Sequence, residues 1–170
     1  MEDLNIHYHP HNLCFREATV DDVDAIIELV RMRIQWMDNV GLEQWNKTDY
    51  FGRYPREYWA ENIHSFLVGD AEGRVVVAMA LYVSDVRWGE MPDEAYYLHH
   101  LVSSQDCPGA GHAMMQYVEH YAKAHSIGIL RLDSAVGNAA LELFYTRLGY
   151  KESGRCRDRL YYGILREKRL

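Results

Sequence analysis

Basic residues, cysteine, proline and long apolar runs are all scarce in this chain. Its 170 residues carry 18 Lys and Arg against 25 Asp and Glu, a formal charge of −7. Nucleic-acid phosphates are held by clustered Lys and Arg, so that deficit excludes nucleic acid as the main partner. It suits a cationic partner such as an amine, although mild acidity also serves solubility. Three cysteines, Cys14, Cys107 and Cys156, stand far apart without paired spacing. That pattern fits free thiols in a reducing compartment better than a disulfide framework. No stretch approaches the roughly 20 apolar residues of a membrane helix, and Met1-Glu2-Asp3-Leu4 shows neither a basic nor an apolar leader. The expectation is a cytoplasmic protein without membrane contact. With 4 Pro and 12 Gly, the composition is neither low-complexity nor disordered.

What is present fits one domain. The chain is 48% hydrophobic and 25% charged, and its length can bury a single sizeable core. Residues 1–12 read as a flexible arm carrying His7, His9 and His11, a solvated segment rather than a metal site. The domain is expected over residues 13–170. Leu13 to Ala18 reads as a strand, and Thr19 caps a helix whose Val23, Ile26, Ile27, Val30, Ile34 and Met37 recur at helical spacing up to Gly41. An aromatic segment from Leu42 to Tyr54 follows, then a second helix from Pro55 through Ile63. Strands are expected at Ser65–Gly69, Val75–Val86 and Ala95–Ser103, with a hairpin turn at Asp70–Gly73. A helix spans about Gly109 to His125, a strand Ile129 to Val136, and a short helix Asn138 to Arg147. Tyr150–Gly154 and Leu160–Leu165 are expected to pair as closing strands. The order is that of an α/β fold, a mixed and mostly antiparallel sheet flanked by about four helices.

The turn Ser103-Ser104-Gln105-Asp106-Cys107-Pro108-Gly109-Ala110-Gly111 joins a strand to a helix. The first N–H groups of a helix lack intrahelical partners, and its dipole favours an anion there. Glycines let a phosphate approach those groups, so the turn can cradle a pyrophosphate. It can equally be an ordinary glycine-rich turn. A dinucleotide fingerprint fails because Met114 stands where a third small residue is needed, and a P-loop fails because no Lys-Ser or Lys-Thr pair follows.

The segment from Tyr97 to Gly154, YLHHLVSSQDCPGAGHAMMQYVEHYAKAHSIGILRLDSAVGNAALELFYTRLGYKESG, resembles the core of the GNAT superfamily of acetyl-CoA-dependent N-acetyltransferases. The glycine turn, Asn138, Phe144-Tyr145 and Leu148-Gly149-Tyr150 fall at that family's spacing. The resemblance implies acetyl-CoA as acyl donor, with Leu101, Val102, Gln105, Gly109, Ala110, Gly111, His112, Ala113, Asn138 and Tyr145 as its binding residues. Asp106 stands where the family carries Arg or Gln, and Gln105 is the neighbouring donor.

Acyl transfer to an amine needs a proton removed from the ammonium and one supplied to the leaving thiolate. The resemblance places Tyr145 beside the coenzyme sulfur as the acid, with backbone N–H groups near Leu101 and Val102 facing the oxyanion. Asn138 is either a ligand of the pantetheine arm or a helix N-cap. His99 and His100 are adjacent on a strand and point to opposite faces. His100 is the expected base, with Glu94 or a water chain as substitutes. Trp36, Trp45 and Tyr50 are expected to wall the acceptor site, and no metal is expected. Cys107 is expected to be incidental, although a helix N-terminus can activate a thiol. The expected function is direct N-acetylation of a primary amine of a small molecule or peptide, with a homodimer as the prior for such a fold. The alternative is an acyl-CoA-binding sensor or interaction domain.

Overall fold

A computed structural model describes residues 5–8, 11–159 and 161–170, with side chains from residue 12 onward. The chain forms two compact units, Met1–Ala80 with His100–Tyr117, and Leu81–His99 with Val118–Leu170.

The first unit holds β1 (Asn5–Tyr8), β2 (His11–Glu17), α1 (Val23–Val40), α2 (Tyr50–Arg53), α3 (Arg56–Asn62) and β3 (Phe66–Ala71). It also takes most of β4 (Arg74–Tyr82), the end of β5 (Tyr96–Ser103) and the start of α4 (Ala110–Ala124). Strands β1 to β4 neighbour one another in chain order, and the β1–β2, β2–β3 and β3–β4 pairs are antiparallel. Helix α1 starts where the sequence signals it: the Thr19 N–H donates to Asp22 Oδ2 at 2.7 Å, and Arg16 Nη1 donates to the same oxygen at 2.7 Å. That guanidinium holds the Asp22 carboxyl below the ordinary carboxylate range. Val23, Ile26, Leu29, Val30 and Met37 are buried, the stripe expected of an amphipathic helix. Gly41 ends the helix at φ +69°, a conformation glycine adopts without strain.

The second unit holds β6 (Ile129–Ala135), α5 (Ala139–Arg147), β7 (Lys151–Asp158), β8 (Tyr161–Arg169) and the remaining parts of β4, β5 and α4. β5 and β6 pair in parallel from Tyr96–Leu130 to Leu98–Leu132. The β6–β8 and β7–β8 pairs are antiparallel. The fold class is the expected α/β type with a mixed, mostly antiparallel sheet.

Three boundaries differ from the sequence expectation. Part of the supposed arm is a strand, because Asn5–Tyr8 pairs with His11–Cys14; backbone pairing asks nothing of side-chain polarity. His9 lies outside the described residues. The closing strands run further than expected, since β7 is an edge strand with largely exposed side chains, which removes the apolar alternation that marks a strand. In β8, Arg166 is buried because its Nε donates to Ser134 Oγ at 2.9 Å. β4 stops at Tyr82, so Asp85 and Val86 belong to a turn rather than to a strand.

Candidate active site

The first unit carries the glycine turn. Gly109 sits at φ +88°, where a Cβ is strained. The Ala110 N–H reaches the Cys107 carbonyl at 3.2 Å, and the Ala113 N–H reaches the Gly109 carbonyl at 3.0 Å, starting α4. Ala110 and Ala113 are fully buried and fix the helix start, whereas Gln105 and Asp106 are exposed. Burial pushes the Cys107 thiol up, with Arg74 opposing the shift, so helix-end activation of this cysteine does not prevail.

No Lys or Arg occurs between Arg87 and Lys123. Besides Arg74 of β4, which acts on Cys107, a cation from α1 reaches the turn's first residue. Arg33 Nη2 donates to the Ser103 carbonyl at 2.7 Å and lies 3.4 Å from Ser103 Oγ. That hydroxyl oxygen stands 3.6 Å from where a Cβ on Gly111 would lie. Among the described residues no carboxylate pairs with Arg33, and desolvation lowers its pKa. A half-buried guanidinium without an anion is costly, and a negative ligand at this turn would relieve it. Trp36 stacks on Arg33 at 5.0 Å and stabilises that placement.

On β5, Leu101 is half-buried and Val102 buried. His100 stands at φ +55°, a left-handed conformation that costs a histidine on the order of 1–3 kcal/mol unless its surroundings fix it. They do: Tyr50 OH lies 2.7 Å from Nδ1 and Tyr58 OH 3.0 Å from Nε2. Trp59 and Phe66 pack at ring-centroid distances of 5.1 and 6.0 Å, and Trp45 stacks on Tyr50 at 4.9 Å. The structure thus brings together three of the expected residues, His100, Tyr50 and Trp45. Trp36 belongs instead with Arg33.

The second unit carries Asn138 and Tyr145. The Asn138 Oδ1 accepts the Leu141 N–H at 3.0 Å, which is the N-cap arrangement. Tyr145 is buried between Phe144 and Tyr150, at 5.1 and 5.9 Å. Burial raises its pKa, and the negative charge of Asp133 adds to the shift, so its proton stays on oxygen at neutral pH.

The same unit contains a charged group that the sequence did not flag. His99 Nε2 lies 2.9 Å from Asp85 Oδ2, and Asp85 Oδ1 accepts the Arg87 N–H at 2.9 Å. Arg87 reaches Asp133 at 3.1 Å and Asp158 at 3.3 Å, while the Tyr161 hydroxyl donates to Asp133. Burial alone would raise the Asp85 carboxyl, but the bonds from His99 and the Arg87 N–H outweigh it and leave it low. Burial, then Asp133, pushes Tyr161 up and takes the Cys156 thiol to about 11. Asp85, His99 and Asp133 offer ligand atoms within 4.8 Å of one another; the cation the structure puts there is Arg87. Glu94, an expected substitute base, is exposed and lines a neighbouring cleft.

No curated protein sequence is significantly similar to the chain. A GNAT-family acetyltransferase from Listeria monocytogenes is similar in structure, with a TM-score of 0.79 and 24% identity over 98% of this chain and 99% of that one. A GNAT-family protein from Streptococcus agalactiae gives a TM-score of 0.78 at 18% identity, over 98% and 99% of the two chains. The paia N-acetyltransferase of Thermoplasma acidophilum, solved in complex with coenzyme A, gives 0.74 at 18% identity over 94% and 99%. The model of the acetyltransferase (GNAT) family matches residues 28–150, and the chain belongs to that family.

Proposed function

We propose that this acetyltransferase moves an acetyl group from acetyl-CoA directly to a primary amine of a small molecule or peptide. The observation that carries the reading is Arg33, a half-buried guanidinium without a carboxylate partner beside the Gly109–Gly111 turn. An anion fits there, because the free N–H groups of α4 and the Arg33 charge both favour it. Gly109, Ala110, Gly111, His112 and Ala113 would face the pyrophosphate, with Leu101 and Val102 presenting backbone to the pantetheine arm. Gln105, exposed on the same turn, can add a donor.

Bound acetyl-CoA supplies an activated thioester. Tyr145, neutral and buried, is suited to give a proton to the departing sulfur. Asn138 starts α5, the helix that carries Tyr145, and so acts as a positioning residue. His100 has both ring nitrogens beside tyrosine hydroxyls. We read it, with Tyr50 and Trp45, as an acceptor wall.

The test is calorimetric titration with acetyl-CoA alongside a thiol-release assay over a panel of amines. Micromolar binding with amine-dependent thiol release supports the reading. Binding without turnover on any amine favours the sensor alternative, and absence of binding rejects both.

A further inference from the structure

β7 (Lys151–Asp158) ends the strand order, with β8 on one side and no described strand on the other. An unpaired edge offers a row of backbone N–H and C=O groups to any strand that approaches it. Monomers guard such edges by shortness, by proline, or by like charges that repel a second copy. β7 has eight residues and no proline. Its charges are of both signs: Lys151, Glu152, Arg155, Arg157 and Asp158. Neither Lys151 nor Arg157 has a carboxylate partner among the described residues. The Arg157 Nε donates to the Arg159 carbonyl at 3.4 Å, and its guanidinium lies 5.0 Å from the Tyr162 ring centroid.

The register with β8 fixes which side chains share a face. Lys151, Gly154, Cys156 and Asp158 stand opposite Glu167, Leu165, Gly163 and Tyr161. Glu152, Arg155 and Arg157 stand opposite Arg166, Ile164 and Tyr162. Alternate residues of β8 point to opposite sides, so the bulge between Glu152 and Gly154 sorts β7 into these two sets. Glu152, Arg155 and Arg157 are all exposed. A second β7 laid antiparallel along the free edge is related to the first by a two-fold axis perpendicular to the sheet. That axis keeps each face on its own side, so only residues of one face can meet. The register that pairs the whole strand centres on Arg155. It sets Lys151 against Asp158 and Glu152 against Arg157, each pair occurring twice. Asp158 already holds Arg87 at 3.3 Å, and its side chain stays 27% exposed. Gly154 meets Cys156, and Arg155 meets its own copy. There Glu152 Oε1, 3.4 Å from Arg155 Nε within each chain, offsets the repulsion. Centring on Cys156 instead puts Arg155 against Arg157 twice, and centring on Gly154 leaves Arg157 and Asp158 outside the pairing.

We propose that the free edge of β7 takes the β7 of a second copy of this chain, antiparallel and centred on Arg155, to give a two-fold dimer. The occupant follows from the charges, because β7 itself supplies an opposite charge at both outer rungs. Backbone pairing along the edge provides the attraction, and the charge pairs fix the register. Tyr162 shares a rung with Arg157 and holds its guanidinium. Less side-chain freedom is then lost when Arg157 meets Glu152 of the second copy. The pairing uses neither the Gly109–Gly111 turn nor Tyr145, and is independent of acetyl transfer.

The experiment is sedimentation of the full chain from about 1 to about 100 μM, a range that brackets a micromolar dissociation constant. Wild type should sediment at twice the 19.9 kDa of one chain at the upper end. Arg157→Glu sets two acidic residues against each other at both symmetric rungs, and should raise the dissociation constant by about 10-fold or more. Adding Glu152→Arg to that variant reverses both members of the pair, and should return the constant to within about 3-fold of wild type. The circular dichroism of both variants should match wild type, which separates lost pairing from lost folding. Hydrogen exchange supplies the location: in a solution that sediments as a dimer, the outward amides of β7 should be as protected as those paired with β8. A wild-type monomer across the whole range would overturn the proposal. So would a dimer equally tight in Arg157→Glu, or free exchange of every second β7 amide in a solution of dimer.

Discussion

Two adjacent histidines of one strand lead opposite chemical lives. His100 sits among rings: Tyr50 and Tyr58 hydroxyls meet its nitrogens, and Trp59 and Phe66 pack on its faces. His99 sits beside charge: its Nε2 lies 2.9 Å from Asp85 Oδ2, and Arg87, whose N–H meets Asp85, links Asp133 and Asp158. Residue type and strand are the same, but adjacent positions face opposite ways, so one histidine meets an aromatic cage and the other a charged cluster. A histidine's role is read from what meets its two nitrogens, not from its presence near a reaction centre.

The aromatic side should break as a fold does. Trp59 is fully buried and donates Nε1–H to the Tyr54 carbonyl at 2.8 Å. Trp59→Ala should cost about 3–5 kcal/mol of stability in denaturant unfolding, through cavity formation. The charged side should break as chemistry does. Tyr145→Phe should lower kcat by about 100-fold, or roughly 2.7 kcal/mol, with acetyl-CoA affinity nearly unchanged and little loss of stability. Wild-type turnover in that variant would remove Tyr145 as the acid. The smallest effect should fall on neither histidine. Arg33→Met should weaken acetyl-CoA binding by about 10-fold, the size expected for one charge-assisted contact. Its kcat at saturating acetyl-CoA should remain near wild type, and an unchanged dissociation constant would detach Arg33 from the coenzyme.

Much of this was legible in the sequence where local rules govern. Thr19, Asp22 and Gly41 bound α1, Asn138 caps α5, and Gly109 sits at positive φ where the turn needed it. The aromatic character of the segment that holds Tyr50 and Trp45 was legible too, but not its meeting with Tyr58 at His100, a contact that spans 42 residues of sequence. The charged cluster around Arg87 was hidden for a similar reason. Asp85 read as part of a long β-rich run, yet it caps the short 3-10 turn Val86–Trp88 through the Arg87 N–H. A serine and an aspartate before that turn were a weak local signal for the strand's end. Nothing local, however, tells that Asp133, Asp158 and Tyr161 converge on one guanidinium. β7 escaped for the opposite reason, since an exposed edge strand has no need of an apolar face. Arg33 escaped because helical spacing marks it as merely flanking the apolar stripe, while its partner Ser103 lies 70 residues away.

The most direct test of the central claim, that the turn beside Arg33 takes acetyl-CoA, is calorimetric titration of the wild-type protein and of Arg33→Met with acetyl-CoA. Micromolar binding by the wild type, weakened about 10-fold in the variant, is the expected result. No binding by the wild type, or equal dissociation constants for the two proteins, would contradict it.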